Sequence, residues 1–221
     1  MNIKSMGCAL FALLFASGVQ AATILDQDHL PGTDNGARIG GAATNATTGS
    51  VQAQTFTAGL TGIFHSAVLR LSVFSTTTTD VTVGLWSVTG AGTPSALLGS
   101  TVTADTSVQA GTGIMDFTYN FSSQMLSMAA GTSYALVATH GEGFGTSWRA
   151  EVPGTYTGGQ RYSASQNLTT GAITSSFFAS NDWDFQFQTN VTTSPVPLPA
   201  GLPLLLGGMG LLALVRRRKS A

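Results

Sequence analysis

Five carboxylates, Asp116, Glu142, Glu151, Asp182 and Asp184, are the side chains of this sequence best suited to acid–base work. Cleaving a glycosidic bond needs two carboxyl groups at a set separation, one protonating the leaving oxygen and the other activating water or attacking the sugar. Nothing in their spacing sets that separation, and Asp116, Asp182 and Asp184 alternate with aromatic residues, the pattern of a solvated strand face. A glycan-active hydrolase therefore stands as the alternative reading, and no catalytic residue is assigned. His29, His65 and His140 include no His-x-x-x-His pair that would hold zinc. Gly145-Thr146-Ser147-Trp148-Arg149 ends in Arg where a nucleophile elbow needs its second Gly. Asp26, Asp28 and Asp34 are spaced acids that invite calcium, but the alternation of ligands in an EF-hand loop breaks after Asp28. A solvated loop is the expectation there, calcium the alternative, and no metal or cofactor is assigned.

Trp86, Trp148, Tyr156 and Tyr162 suit a different chemistry, stacking on the apolar faces of sugars while neighbouring amides and acids take the hydroxyls. Trp86 lies on the Thr82 and Gly84 phase, opposite Val81, Val83 and Leu85, so it should point away from the main core. Trp148 follows Gly143 and Gly145 and precedes Arg149, the setting of a loop. The plainer reading is that each ring packs on a local satellite cluster. Trp183 shares a phase with Phe185 and Phe187 and is expected in the core.

The elements that would position these groups are strands. Ala67, Leu69, Leu71 and Val73 oppose Ser66, Arg70 and Ser72. Met115, Phe117, Tyr119 and Phe121 oppose Asp116, Thr118 and Asn120, and the Trp183, Phe185 and Phe187 run opposes Asp182, Asp184, Gln186 and Gln188. Period two puts one face in a core and the other in water. Between the runs stand turn clusters, among them Thr89-Gly90-Ala91-Gly92-Thr93-Pro94 and Pro153-Gly154, and no stretch of ten residues keeps a helical period. The fold expected is all-β, an antiparallel β-sandwich of jelly-roll type, with residues 22–50 as polar, Gly-rich loop.

Composition sets limits on partners. Residues 22–195 make one domain holding all ten acids but only Arg38, Arg70, Arg149 and Arg161 as bases, so that part is near −6 although the whole chain sums to −1. Nucleic acid and anionic lipid are poor partners for it. The only cysteine is Cys8, outside this domain, so its stability owes nothing to disulfides.

Both ends read as targeting segments. Lys4, the apolar run from Met6 to Phe15 and Val19-Gln20-Ala21 form a signal peptide over 1–21, with cleavage between Ala21 and Ala22. Cys8 opens the apolar run rather than following it, which argues against lipidation. At the other end, Val196-Pro197-Leu198-Pro199-Ala200 leads into an apolar run to Val215 and then Arg216, Arg217, Arg218 and Lys219. From Val196 to Val215 a helix would reach about 30 Å, a minimal bilayer span. The four cations resist crossing and hold that end in the cytoplasm. Gly207, Gly208 and Gly210, with Pro197, Pro199 and Pro203, weaken the transmembrane helix, which suits a cleavable segment better than a permanent anchor.

On these residues the 196–221 tail resembles the PEP-CTERM class of bacterial sorting signals, and Val196 to Ala200 matches its VPLPA variant residue for residue. The name-giving Pro-Glu-Pro is absent, as is usual for that variant. The resemblance implies processing by an exosortase of a Gram-negative bacterium that makes exopolysaccharide. It further implies transient residence in the inner membrane and a mature form at the cell surface, outer membrane or extracellular matrix. A second, looser resemblance runs through Gln54-Thr55-Phe56, Val68-Leu69-Arg70-Leu71, Trp86 and the loop Gly90 to Pro94, which is similar to the choice-of-anchor R module. It implies an exported sandwich domain and carries no chemistry. The function expected is a non-catalytic surface or matrix protein with a structural or glycan-contacting role. Exopolysaccharide or another surface glycan is its expected partner.

Overall fold

The alternating segments all become strands in the computed structural model, and so do segments with no such pattern. The structure describes residues 21–32, 35–41, 46–73, 81–104, 113–140, 146–180 and 182–193. In chain order the strands are β1 (Ala22–His29), β2 (Asn35–Gly41), β3 (Thr48–Thr57), β4 (Gly62–Val73), β5 (Val81–Val88), β6 (Pro94–Leu97), β7 (Val102–Ala104) and β8 (Gly113–Asn120). They continue with β9 (Ser127–Met128), β10 (Ser133–His140), β11 (Thr146–Glu151), β12 (Arg161–Asn167), β13 (Phe178–Ser180), β14 (Asp184–Phe185) and β15 (Phe187–Thr193). The helical content of the described residues is one 3-10 turn, Ser122–Gln124. The fold is all-β, and the paired strands run antiparallel.

The pairing path is β1-β15-β4-β11-β2-β3-β10-β5-β6, with β8 and β9 also along β4, β7 along β5, and β12 between β3 and β13. β2 joins two half-sheets, pairing with β11 through Ile39 and Thr146 and with β3 through Gly40 and Ser50. Their inner faces meet. Phe64, Leu69, Leu71, Tyr119, Trp148 and Phe187 from one half share a single buried cluster with Phe56, Val83, Leu85 and Leu136 from the other. That arrangement is sandwich-like. Along β4, a register shift against β15 between Asn190 and Val191 leaves His65 as an extra residue, so Phe64 and Ala67 both turn inward.

Several expectations are corrected. Residues 22–50 are largely β1, β2 and the start of β3, not loop. β1 gains little from apolar alternation and is held by polar ties, whereas β2 buries Ala37 and Ile39 on either side of exposed Arg38. Asp26 Oδ1 accepts from the Gly59 and Leu60 amides at 2.9 and 2.7 Å, its Oδ2 accepts from Thr189 Oγ1 at 3.2 Å, and Asp28 accepts from Gln188 at 2.9 Å. Gly40, at φ +83°, lies so close to His140 that a Cβ would stand 2.8 Å from its Cβ. Met115, expected inside, is 36% exposed; among the described residues β8 pairs with β4 alone, and its first half runs along the sheet margin. Asp184 and Gln186, expected in water, are 6% and 0% exposed, while Trp183 is only partly buried against the core. Gln186 lies between β14, which pairs with β11, and β15, which pairs with β4, and Tyr156 of the 152–160 loop caps Asp184, so the simple in-out phase does not carry through.

Thr23–Thr193 forms one compact unit by internal contacts. Residues 1–20 of the expected signal peptide over 1–21, the motif Val196 to Ala200 and the basic run Arg216 to Lys219 lie outside the described residues, as do Asp34 and Glu142. Ala21 is exposed and Ala22 begins β1. Among the described residues no helix is long and apolar enough to cross a membrane.

Candidate functional site

Residues 152–160, between β11 and β12, build one wall of a cleft, and polar side chains fix them in place. Glu151 Oε2 accepts from Thr155 N at 3.1 Å and from its hydroxyl at 2.6 Å, and Asp184 Oδ2 accepts from Tyr156 N at 2.9 Å. Tyr156 donates its hydroxyl to Gln27 at 2.8 Å while its ring meets Phe187 edge-on at 5.3 Å. Further along, Thr55 and Gln160 are tied three times: Thr55 N donates to Gln160 O at 3.0 Å, and Thr55 Oγ1 accepts from Gln160 N at 2.9 Å and donates to Gln160 O at 3.1 Å. Gly159 lies flat on β3, where any Cβ would collide with the Thr55 carbonyl.

The facing wall is the turn from Thr89 to Thr93, closed by Gly92 N donating to Thr89 O and Thr89 N to Thr93 O, both at 2.9 Å. Between the walls lies an open cleft of about 310 Å³, floored by Thr55 of β3, Ser133 of β10 and Tyr162 of β12. Tyr162 is 3% exposed; its hydroxyl accepts from Gln160 Nε2 at 2.6 Å and would lie 3.3 Å from a Cβ on Gly92. Among the described residues no acid or base lines the cleft.

The four aromatic candidates separate. Tyr162 reaches the cleft and belongs, with Val51, Ala53, Ala135, Val137 and Ala164, to a second buried cluster on the outer face of the β12-β3-β10-β5 half-sheet. Trp86 packs on that same cluster and meets Phe177 edge-on at 6.1 Å, on the side away from the main core as its phase requires. Tyr156 supports the loop from beneath. Trp148 is corrected outright: it sits in β11, fully buried, stacked at 4.5 Å on Phe185 with its indole N–H donating to Gln186 O at 2.9 Å. No glycan can reach it. Of the groups that complete the cleft, Ser133 and Gln160 carried no signal in the sequence beyond the Gly158-Gly159 and Gly90 to Pro94 turns around them, and Thr55 stood out only within Gln54-Thr55-Phe56.

Among the carboxylates, Asp116 grips Arg70 in a two-point ion pair at 2.6 and 2.8 Å, which raises the Arg70 pKa, and Asp182 is exposed. Glu151 and Asp184 are brought together around His29, which is 9% exposed. His29 Nε2 stands 3.5 Å from Glu151 Oε2, close enough to attract but beyond a well-formed hydrogen bond. Burial lowers the His29 pKa, outweighing the pull of Asp184, Glu151 and Asp28. Burial raises that of Asp184, against hydrogen bonds from Tyr156 and Gln54. Asp184 spends one oxygen on Tyr156 N and the other on Gln54 Nε2 at 3.3 Å, so it is engaged in holding structure. His65 and His140 lie elsewhere, and no three metal-ligating side chains converge among the described residues.

No family model matches this chain, and no curated protein matches it either.

Proposed function

We propose that this chain is an exported protein of the cell surface or extracellular matrix, processed at its C-terminus by an exosortase, with a structural or glycan-contacting role. The observation that carries the reading is the ordered tail: Val196-Pro197-Leu198-Pro199-Ala200, a weak apolar span and the cations Arg216 to Lys219, behind a domain without a single Lys. The domain supports it in two ways. A core lined from both half-sheets fits the jelly-roll sandwich expected of an exported module. The uncharged polar cleft at Tyr162 fits contact with sugars better than with nucleic acid or anionic lipid. The hydrolase alternative has the approach of Glu151 and Asp184 in its favour, but Glu151 Oε2 and both Asp184 oxygens are committed to the 152–160 loop and to Gln54.

Intact mass spectrometry of protein recovered outside the native host tests the proposal. The mature form should lack everything beyond the Val196 to Ala200 region, about twenty residues including all four terminal cations. Pro197→Ala with Pro199→Ala leaves a span at least as apolar and more helical, so an ordinary anchor would be retained as well or better. An exosortase substrate instead accumulates uncleaved in the inner membrane. Surface protein that still carries Arg216 to Lys219 would put a permanent single-pass anchor in place of the sorting signal.

A further inference from the structure

The cleft beside Tyr162 is lined by uncharged residues among those described. Among the described residues, its walls and floor are lined by Thr55, Ser133, Thr157, Tyr162 and Gln160 with no Asp, Glu, Lys, Arg or His, and the Thr55 hydroxyl is spent on the Gln160 main chain. Two groups keep hydrogen-bonding capacity in hand. The Tyr162 hydroxyl accepts from Gln160 Nε2, its own proton meets no acceptor among the described residues, and the Gln160 side-chain carbonyl meets no donor there. An ion entering would exchange water for walls that hold no counter-charge, a far larger desolvation cost than a neutral polar group bears. The domain around it, with ten acids against four bases over residues 22–195, repels anions further. A matching ligand is uncharged and carries both donors and acceptors. At about 310 Å³ the cleft sits at the lower end of the roughly 300–1,000 Å³ typical of ligand pockets, room for a ring or two. Its open side lets a longer chain continue into solvent.

We infer that the cleft binds a neutral sugar, one unit of an uncharged oligo- or polysaccharide, with Tyr162 donating to one ring hydroxyl and the Gln160 carbonyl accepting from another. The inference rests on the glycan-contacting role proposed above and narrows it to sugars without carboxylate, sulfate or phosphate. The test is calorimetric titration of the full chain in a zwitterionic detergent without a sugar headgroup. The probes are neutral glucose, galactose and mannose oligosaccharides and an oligogalacturonate of equal length. At least one neutral probe should bind one to one, and the oligogalacturonate at least tenfold more weakly. Ala91→Trp, a ring inserted at the rim from an exposed position, should abolish that binding without shifting the melting temperature. Tyr162→Phe, which removes one hydroxyl and keeps the packing, should weaken it about fivefold, the worth of one neutral hydrogen bond. Oligogalacturonate binding as tight as or tighter than every neutral probe overturns the neutral class and leaves glycan contact standing. Neutral binding unaltered in both variants overturns the site alone. Silence of all four probes removes the inference together with the glycan role, while the tail's mass test is untouched.

Discussion

His29 is the residue whose chemistry reaches furthest, because it is buried among carboxylates that hold the cleft loop. Its folded pKa lies below the ordinary 6.5 since burial penalises the imidazolium, so protonation favours the unfolded chain. Stability is therefore whole above about pH 6.5 and declines as the pH falls through that value. Asp184 acts in the opposite sense. Its folded pKa is raised, so its contribution is present in acid and lost as the pH rises through the folded value. Melting temperatures measured from pH 7.5 to 5 should fall on acidification in the native protein. In His29→Gln the fall should vanish. An unchanged pH profile in His29→Gln would rule out the buried imidazole as the source.

At the scale of elements, the strand β3 and the 152–160 loop act as one unit, and the loop's position depends on glycine. Gly159 has no space for a side chain above the Thr55 carbonyl, so Gly159→Ala must lift the loop and strain the paired contacts between Thr55 and Gln160. A loss of about 2 kcal/mol is expected, in the range of substitutions that force backbone movement. Hydrogen exchange should quicken at the Gln160 and Thr55 amides and stay slow in β4, whose partners lie on the other half-sheet. Uniform quickening throughout the domain would mean that the loop is not a separate, locally anchored element. The buried polar layer beneath has the same character. Gln54 donates to Asp184 and accepts from Phe185 N at 2.8 Å, tying β3 to β14 across the end of the core.

For the molecule as a whole, the prediction concerns independence from the ends and from redox state. A protein spanning Ala22 to Pro195, made without either terminal segment, should be soluble and rich in β-structure by circular dichroism. Helix above about a fifth would contradict an architecture of packed antiparallel strands. Reductant should leave its melting temperature unchanged, because Cys8 lies outside that span and no disulfide can form within it.

What the sequence determined by itself was whatever depends on local geometry. Side chains alternate across a strand as a property of the extended backbone, so the buried phase of Ala67, Leu69, Leu71 and Val73 and the outward turn of Trp86 were legible from residue types alone. What depends on which strand lies beside which was decided only by the tertiary structure. Trp148 follows two glycines and reads as loop, yet β11 is paired on both sides and Phe185 covers its ring. β1 has no apolar period, and its polar ties reach partners far along the chain, such as Thr189 and Gln188. The cleft is the extreme case. Thr55, Ser133, Gln160 and Tyr162 meet because β3 pairs with β10 and β12 in the registers Thr57 to Ser133 and Gln54 to Arg161. Register is a long-range agreement of hydrogen bonds and packing, and a one-residue slip would turn those side chains to the opposite face.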